Sequence, residues 1–297
     1  MLSNRLGTGV ERSEDRVAVR PHPLGQYVDR IDQRRSERVS SYSTRGGTSA
    51  YASRRTSPCD SSRRSVWVSI LREMPPISSI SSPWRTGPLH LARKPASLSH
   101  VEAAALPVVG LTAWQGLVDL GGVTAGDRVL IHGGGGGVGH VAIQIAKALG
   151  AHVIAAASGS KREFVEGFGA DEVIDYTAVD FAEAVRDIDV VLDTIGGDTA
   201  ARSLGVLRPG GHLVTAVAEE DSELAAEFAA AGVRFSGIAV DPDPVALRGL
   251  VELVEQGRLR VHVQEVFPFE RVADAHRLLD GGHLRGKLVL DTARRAT

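Results

Sequence analysis

Seven consecutive residues, Gly133-Gly134-Gly135-Gly136-Gly137-Val138-Gly139, carry the most legible chemistry in this 297-residue chain. An apolar run, Arg128-Val129-Leu130-Ile131-His132, precedes them, and a helical pattern from Val141 to Leu149 follows. A strand that ends in a glycine turn and opens a helix presents free backbone N–H groups and the positive helix end to an anion. Gly134, Gly136 and Gly139 have the spacing that holds a dinucleotide pyrophosphate. Gly136 and Gly139 are the residues such a turn requires. One admits the pyrophosphate to the backbone, and the other lets the helix pack close to the strand. The alternative, a flexible glycine linker, is disfavoured by the flanking strand and helix.

The end of the second strand bears on which dinucleotide. A site for an unphosphorylated ribose places Asp or Glu there, about 20 residues beyond the turn. Here the strand ends Ala155-Ala156-Ala157-Ser158-Gly159-Ser160-Lys161-Arg162, without an acid. Hydroxyls and cations suit a 2′-phosphate, reached by Lys161 or Arg162. Otherwise Ser158 caps the next helix and both cations are surface residues. Asp175-Tyr176 places an aromatic hydroxyl beside the adenosine end, or else a half-buried packing tyrosine. Asp193-Thr194-Ile195-Gly196-Gly197 and Ala216-Val217 follow the fourth and fifth strands. Ligands of such sheets bind outside the carboxyl ends of strands, so these loops are expected to flank the nicotinamide ribose. His132 and His140 bracket the turn without Cys or acidic ligands, so no metal site is expected. His262 and His283 read as surface or packing residues, and no GxSxG elbow is present.

These residues need a scaffold, and from about residue 90 the chain supplies one. Glu102–Leu120 is apolar with helical packing. Strands are predicted at Arg128–His132, His152–Ala156, Glu172–Asp175, Ile188–Asp193, His212–Ala216 and Arg234–Val240. Helices are predicted between them at Val138–Leu149, Lys161–Gly167, Phe181–Arg186, Thr199–Leu204 and Ser222–Ala231. Apolar strands such as Val190-Val191-Leu192 suit a parallel sheet buried on both faces. The fold class is therefore α/β, a doubly wound Rossmann domain with a six-stranded parallel sheet. Helices near Pro244–Gln256 and Val272–Leu279 and a strand at Gly286–Asp291 complete it.

Residues 1–88 differ in texture. They hold 15 Arg, no Lys, 17 Ser, no Phe and 8 acidic residues, a formal charge of +7. The remainder holds 19 basic and 28 acidic residues, a charge of −9, for a net −2. A segment so poor in apolar periodicity is expected to be disordered. Glu11, Glu14 and Asp15 break the acid-poor pattern of a targeting peptide. The Arg-rich stretch, with Tyr42, Tyr51 and Trp67, also fits an RNA-binding arm, but charge runs are usually solvated faces. Neither nucleic acid nor membrane is an expected partner. Cys59 is the single cysteine, which fits a reducing compartment. With no apolar secretory leader, the expected location is cytoplasmic.

The segments Leu91-Ala92-Arg93-Lys94-Pro95, Ala105-Leu106-Pro107, Gly110-Leu111-Thr112-Ala113-Trp114 and His132 through Gly139 occur in that order. Gly169 through Tyr176, Leu207-Arg208-Pro209-Gly210-Gly211 and Gly286-Lys287-Leu288-Val289-Leu290 follow. Together they resemble the medium-chain dehydrogenase/reductase superfamily, in its zinc-independent quinone oxidoreductase-like branch, over residues 90–297. The resemblance implies an NADP(H)-binding enzyme that transfers hydride to a quinone or an α,β-unsaturated carbonyl. It implies Thr112 near the nicotinamide carboxamide and Gly136, Gly137 and Val138 in the pyrophosphate loop beside Gly139. It also implies Ser158, Lys161 and Tyr176 at the 2′-phosphate and adenosine, with Ile195 and Val217 near the nicotinamide ribose. No catalytic acid is identified. Family members begin with a GroES-like β-rich domain that walls the substrate cleft, and residues 1–88 do not resemble it. The change near residue 90 is that expected of an upstream stretch read out of frame. Family members also dimerise through the sixth-strand edge, so a homodimer is expected.

Overall fold

The computed structural model describes residues 70–71, 91–217 and 222–292. Expectations for the rest of 1–90 lie outside the described residues. Strand β1 (Ile70–Leu71) comes first, in a segment where the sequence predicts no strand. Helix α1 (His100–Ala105) opens on a capping box: Ser99 Oγ accepts the Glu102 N–H, and the Glu102 carboxylate accepts the Ser99 N–H. Pro107, with no N–H to give, ends α1 and starts α2 (Pro107–Trp114). The single helix predicted over Glu102–Leu120 is thus divided. Its last part, Gln115–Leu120, is a π-helix in which Gly121 N–H reaches back to Gly116 O at 2.9 Å. A Cβ on Gly116 would lie 2.8 Å from Leu192 Cδ1, so this segment presses directly on the sheet.

The main sheet comprises β2 (Arg128–His132), β3 (His152–Ala157), β4 (Glu172–Asp175), β5 (Ile188–Asp193), β6 (Leu207–Thr215) and β7 (Arg234–Gly237). All neighbours are parallel, in the order β4-β3-β2-β5-β6-β7. This is the doubly wound arrangement expected, with β2 at the point where the order reverses. Helices α3 (Gly139–Ala148), α4 (Arg162–Glu166), α5 (Phe181–Ala184), α6 (Asp198–Arg202) and α7 (Ser222–Ala230) provide the crossovers. Leu130, Ile154, Val191 and Leu213, each with no exposed surface, line one face of the sheet with Phe228. β6 starts earlier than the pattern suggests, at Leu207. Its pairing with β5 shifts register between Ile188 and Val190 and resumes at His212.

After α8 (Pro244–Glu255), β8 (Val263–Pro268), α9 (Val272–Asp280) and β9 (Lys287–Asp291) build a second, small parallel sheet, ordered β1-β9-β8. The sequence predicts β9 but not β8. One apolar cluster joins Ala104 and Ala105 of α1 to Val261 and Val289. Another joins Phe267 and Leu290 to Ala275 of α9. Among the described residues no helix is long and apolar enough to cross a membrane.

Candidate functional site

Strand β2 delivers Gly133 to the turn at φ 73°, a conformation that favours glycine. Gly134 N–H donates to Ala156 O (3.0 Å), tying the turn to the end of β3, and Gly136 N–H donates to Gly133 O (2.9 Å). A Cβ on Gly139 would strike the Gly133 carbonyl and approach Gly134 Cα to 2.6 Å. Of Gly136 and Gly139, it is Gly139 that lets the helix pack close to the strand, and the obstacle is backbone. Val138 is the N-cap residue of α3. The N–H groups of Gly135, Gly137 and Val138 make no hydrogen bond among the described residues. They are the unsatisfied donors of a helix start, at the strand-order reversal, the kind of place where anions bind.

Of the other predicted residues, Ile195 and Lys161 lie directly against this turn. Ile195 Cδ1 lies 3.2 Å from where a Gly133 Cβ would be, which sets the β5 loop against the glycines. Ile195 and Val217 are 54% and 55% exposed, two large apolar side chains left open beyond the strand ends. Thr112 is buried on α2, and its hydroxyl donates to Val108 O (2.8 Å). Val109 of the same helix backs Gly137. On the opposite side, Ser158 Oγ meets Ser160 Oγ at 3.1 Å and makes no capping bond. Tyr176 is 60% exposed, not packed into the core. Lys161 lays its stem over Gly135 and donates from Nζ to Leu284 O (2.6 Å). Arg162 instead turns to Val173 O and Glu166.

Sequence reasoning missed the contribution of the C-terminal segment. Gly286 N–H donates to Gly135 O (3.2 Å), and Lys287 N–H donates to His262 O (2.9 Å). A Cβ on Gly137 would lie 2.9 Å from Lys287 Cδ. The Lys287 ammonium has no hydrogen-bond or ion-pair partner among the described residues. Arg285 donates to Ser160 O (2.7 Å). Burial pulls the Lys161 and Lys287 ammonium groups down from their ordinary range, with Arg285 adding repulsion at Lys161. Nothing local in the sequence marks Arg285 and Lys287, because they arrive some 150 residues after the glycine turn.

The two histidines bracketing the turn are committed to structure. His132 is pushed down to about 4 by burial, against the opposing pull of Asp193. Ser203 Oγ donates to Thr199 O, so His132 Nε2–H donates to Ser203 Oγ (3.0 Å). His140 is likewise pushed down to about 4, first by burial, with its bond to Gly136 O opposing. His140 Nδ1–H donates to Gly136 O (2.8 Å), and its Nε2 accepts the His262 N–H (3.1 Å). One turn on, the Gln144 amide donates to Arg260 O (2.8 Å) and accepts from Arg260 N–H (2.9 Å). Helix α3 thus holds the approach to β8 through two side chains acting as a strand partner would.

The sheet order and the glycine turn at its reversal define a dinucleotide-binding Rossmann domain. A family model described as zinc-binding dehydrogenase matches residues 168–290, and one described as alanine dehydrogenase/PNT, C-terminal domain, matches 110–203. The mitochondrial NAD(P)H oxidoreductase RTN4IP1 of Danio rerio is 36% identical over 245 residues, covering 70% of this chain and 63% of that protein. The quinone oxidoreductase structure from Coxiella burnetii superimposes with a TM-score of 0.64 at 37% identity, covering 67% of this chain and 63% of that one. A 2-haloacrylate reductase superimposes with a TM-score of 0.60 at 30% identity, covering 68% and 69%. The chain belongs to the medium-chain dehydrogenase/reductase superfamily. It spans about 63% of the length of the Danio rerio relative.

Proposed function

We propose that this chain is an NADPH-dependent oxidoreductase that transfers hydride to a quinone or an α,β-unsaturated carbonyl without zinc. The observation that carries the reading is the glycine turn, with N–H groups unpaired among the described residues, its backbone-limited Gly139 and the stem of Lys287 packed beside Gly137. A pyrophosphate fits this cradle: two or three N–H donors face it and one cation offsets its charge. Lys161 and Ser158, at the end of β3, take the 2′-phosphate, Lys161 by exchanging Leu284 O for the stronger anionic acceptor. Tyr176 covers the adenosine, while Ile195, Val217 and Thr112 flank the nicotinamide half. Bound NADPH supplies the hydride; the chain's residues orient it and exclude water. Zinc independence is supported by the commitment of His132 and His140 to Ser203, Gly136 and His262.

A second reading is an NADPH-binding remnant or regulatory protein with no turnover, because no catalytic acid is identified among the residues around the turn. In both readings residues 90–297 form the cofactor domain, and Ile70–Leu71 adds β1 to its small sheet. NADPH titration followed by a quinone-reduction assay separates the two. Binding with turnover supports the enzyme, binding without turnover supports the remnant, and failure to bind either nicotinamide cofactor overturns both. Lys161→Ala is expected to weaken NADPH more than NADH; equal loss refutes the 2′-phosphate assignment. A homodimer through the edge of β7, the last strand of the sheet among the described residues, is part of the proposal, and a monomeric mass at micromolar concentration overturns it. So is a cytoplasmic location, although the Danio rerio relative is named as mitochondrial; fractionation of the expressed protein decides.

A further inference from the structure

We propose that Asp193 is a positioning residue: it clamps the β5 and β6 loops in one arrangement and so determines how firmly the nicotinamide half of the cofactor is held. The inference rests on the cofactor reading above. Asp193 ends β5 and has no exposed surface. Its Oδ1 accepts the N–H groups of Ile195 (2.9 Å) and Gly196 (3.1 Å). Its Oδ2 accepts Gly196 N–H (3.0 Å) and the Thr215 hydroxyl (3.0 Å). Thr215 Oγ1 in turn accepts Val217 N–H (3.2 Å), and Asp193 O accepts Ala216 N–H (2.9 Å). No Lys or Arg pairs with the carboxylate among the described residues.

A buried carboxylate without a counter-ion is expensive, and neighbouring positions in these strands are apolar. The arrangement satisfies both oxygens with neutral donors drawn from the ends of two strands. A hydroxyl or an apolar side chain cannot accept from both at once. The outward result is a pair of exposed apolar side chains in fixed relation: a Cβ on Gly196 would sit 2.9 Å from Val217 Cγ1. Thr194 Oγ1 donates to His132 O (2.8 Å), which ties the same loop to the start of the glycine turn. The proposed adenosine-side residues Ser158, Lys161 and Tyr176 follow β3 and β4, across β2 from this clamp. Its loss should therefore be felt at one end of the dinucleotide only.

The test compares binding of NADPH with that of adenosine 2′,5′-bisphosphate, which lacks the nicotinamide half, in wild type, Asp193→Asn and Thr215→Val. In Asp193→Asn the new carboxamide replaces one acceptor with a donor that faces the Gly196 N–H in either orientation. NADPH affinity is expected to fall about ten-fold or more, with the bisphosphate changed less than two-fold. Thr215→Val, which removes one arm and little volume, should shift the same ratio in the same direction, and it serves if Asp193→Asn does not fold. Asp189→Asn, at the other end of β5 where Asp189 pairs with Arg208, is the control for general loosening and should leave the ratio unchanged. Equal weakening of both ligands, or of neither, overturns the clamp while leaving the cofactor reading intact. A wild-type protein that binds neither ligand overturns the cofactor reading and the clamp with it.

Discussion

Acidification should destabilise this protein through His140, and the size of the effect follows from its two hydrogen bonds. Gly136 O can only accept and His262 N–H can only donate, so His140 must be neutral with its proton on Nδ1. A second proton on Nε2 would abolish the bond to His262 and bury a charge. The folded-state value is about 4, against an ordinary 6.5. Because the folded value is the lower one, the unfolded chain binds more protons between these limits, and stability rises with pH across them. The contribution is complete above 6.5, falls as pH drops towards 4, and loses nothing more below that. The full span corresponds to about 3 kcal/mol, and the part lost between pH 7 and pH 5 to about 2 kcal/mol. Against a total stability of about 5–15 kcal/mol this is a large fraction. His132 is shifted the same way and adds to the slope. Urea unfolding at pH 7, 6 and 5 measures the sum, and His140→Gln isolates the first part. Glutamine can donate to Gly136 O and accept from His262 N–H without titrating, so its stability should be about 2 kcal/mol less sensitive to the same pH change. Parallel pH dependences in the two proteins would refute the reasoning.

Gly139→Ala sets a methyl against the Gly133 carbonyl, which cannot rotate away; it should cost about 1–3 kcal/mol in thermal or urea unfolding and abolish measurable NADPH binding by fluorescence titration. Lys287→Met keeps the stem that packs on Gly137 but removes a largely buried charge that has no partner among the described residues. Its melting temperature without cofactor should rise, while NADPH and NADH affinities fall by the same factor, about ten-fold; a selective loss of NADPH would place Lys287 at the 2′-phosphate instead. Ser99→Ala removes the hydroxyl that accepts Glu102 N–H at the start of α1 and should cost about 1 kcal/mol in unfolding without changing cofactor binding.

Residues 133–139, the strands around them and the order of crossovers were legible because each is set by local patterning. A strand buried on both faces must be continuously apolar, as in Val190-Val191-Leu192, and a tight turn into a helix must be glycine where a Cβ would strike backbone. The same logic explains what was missed. Strand β8, Val-Gln-Glu-Val-Phe-Pro, alternates poorly and is half exposed. It is a strand because β9 pairs with it and α1 and α9 cover the sheet. The helix over Glu102–Leu120 divides at Pro107, which the sequence displays, and turns to π geometry at Gln115, where Gly116 must fit against Leu192.

The amino-acid sequence by itself determined that a glycine turn follows an apolar strand and opens a helix within an alternating β/α pattern, since period and glycine spacing are properties of neighbours in the chain. Tertiary structure alone decided what surrounds that turn. It brought Lys287 and Gly286 against Gly137 and Gly135, turned Lys161 towards Leu284, and gathered three donors from the ends of two strands onto the Asp193 carboxylate. The longest of those contacts join residues about 150 positions apart. Their partners are set by how helices and sheets stack, a property no window of local sequence contains.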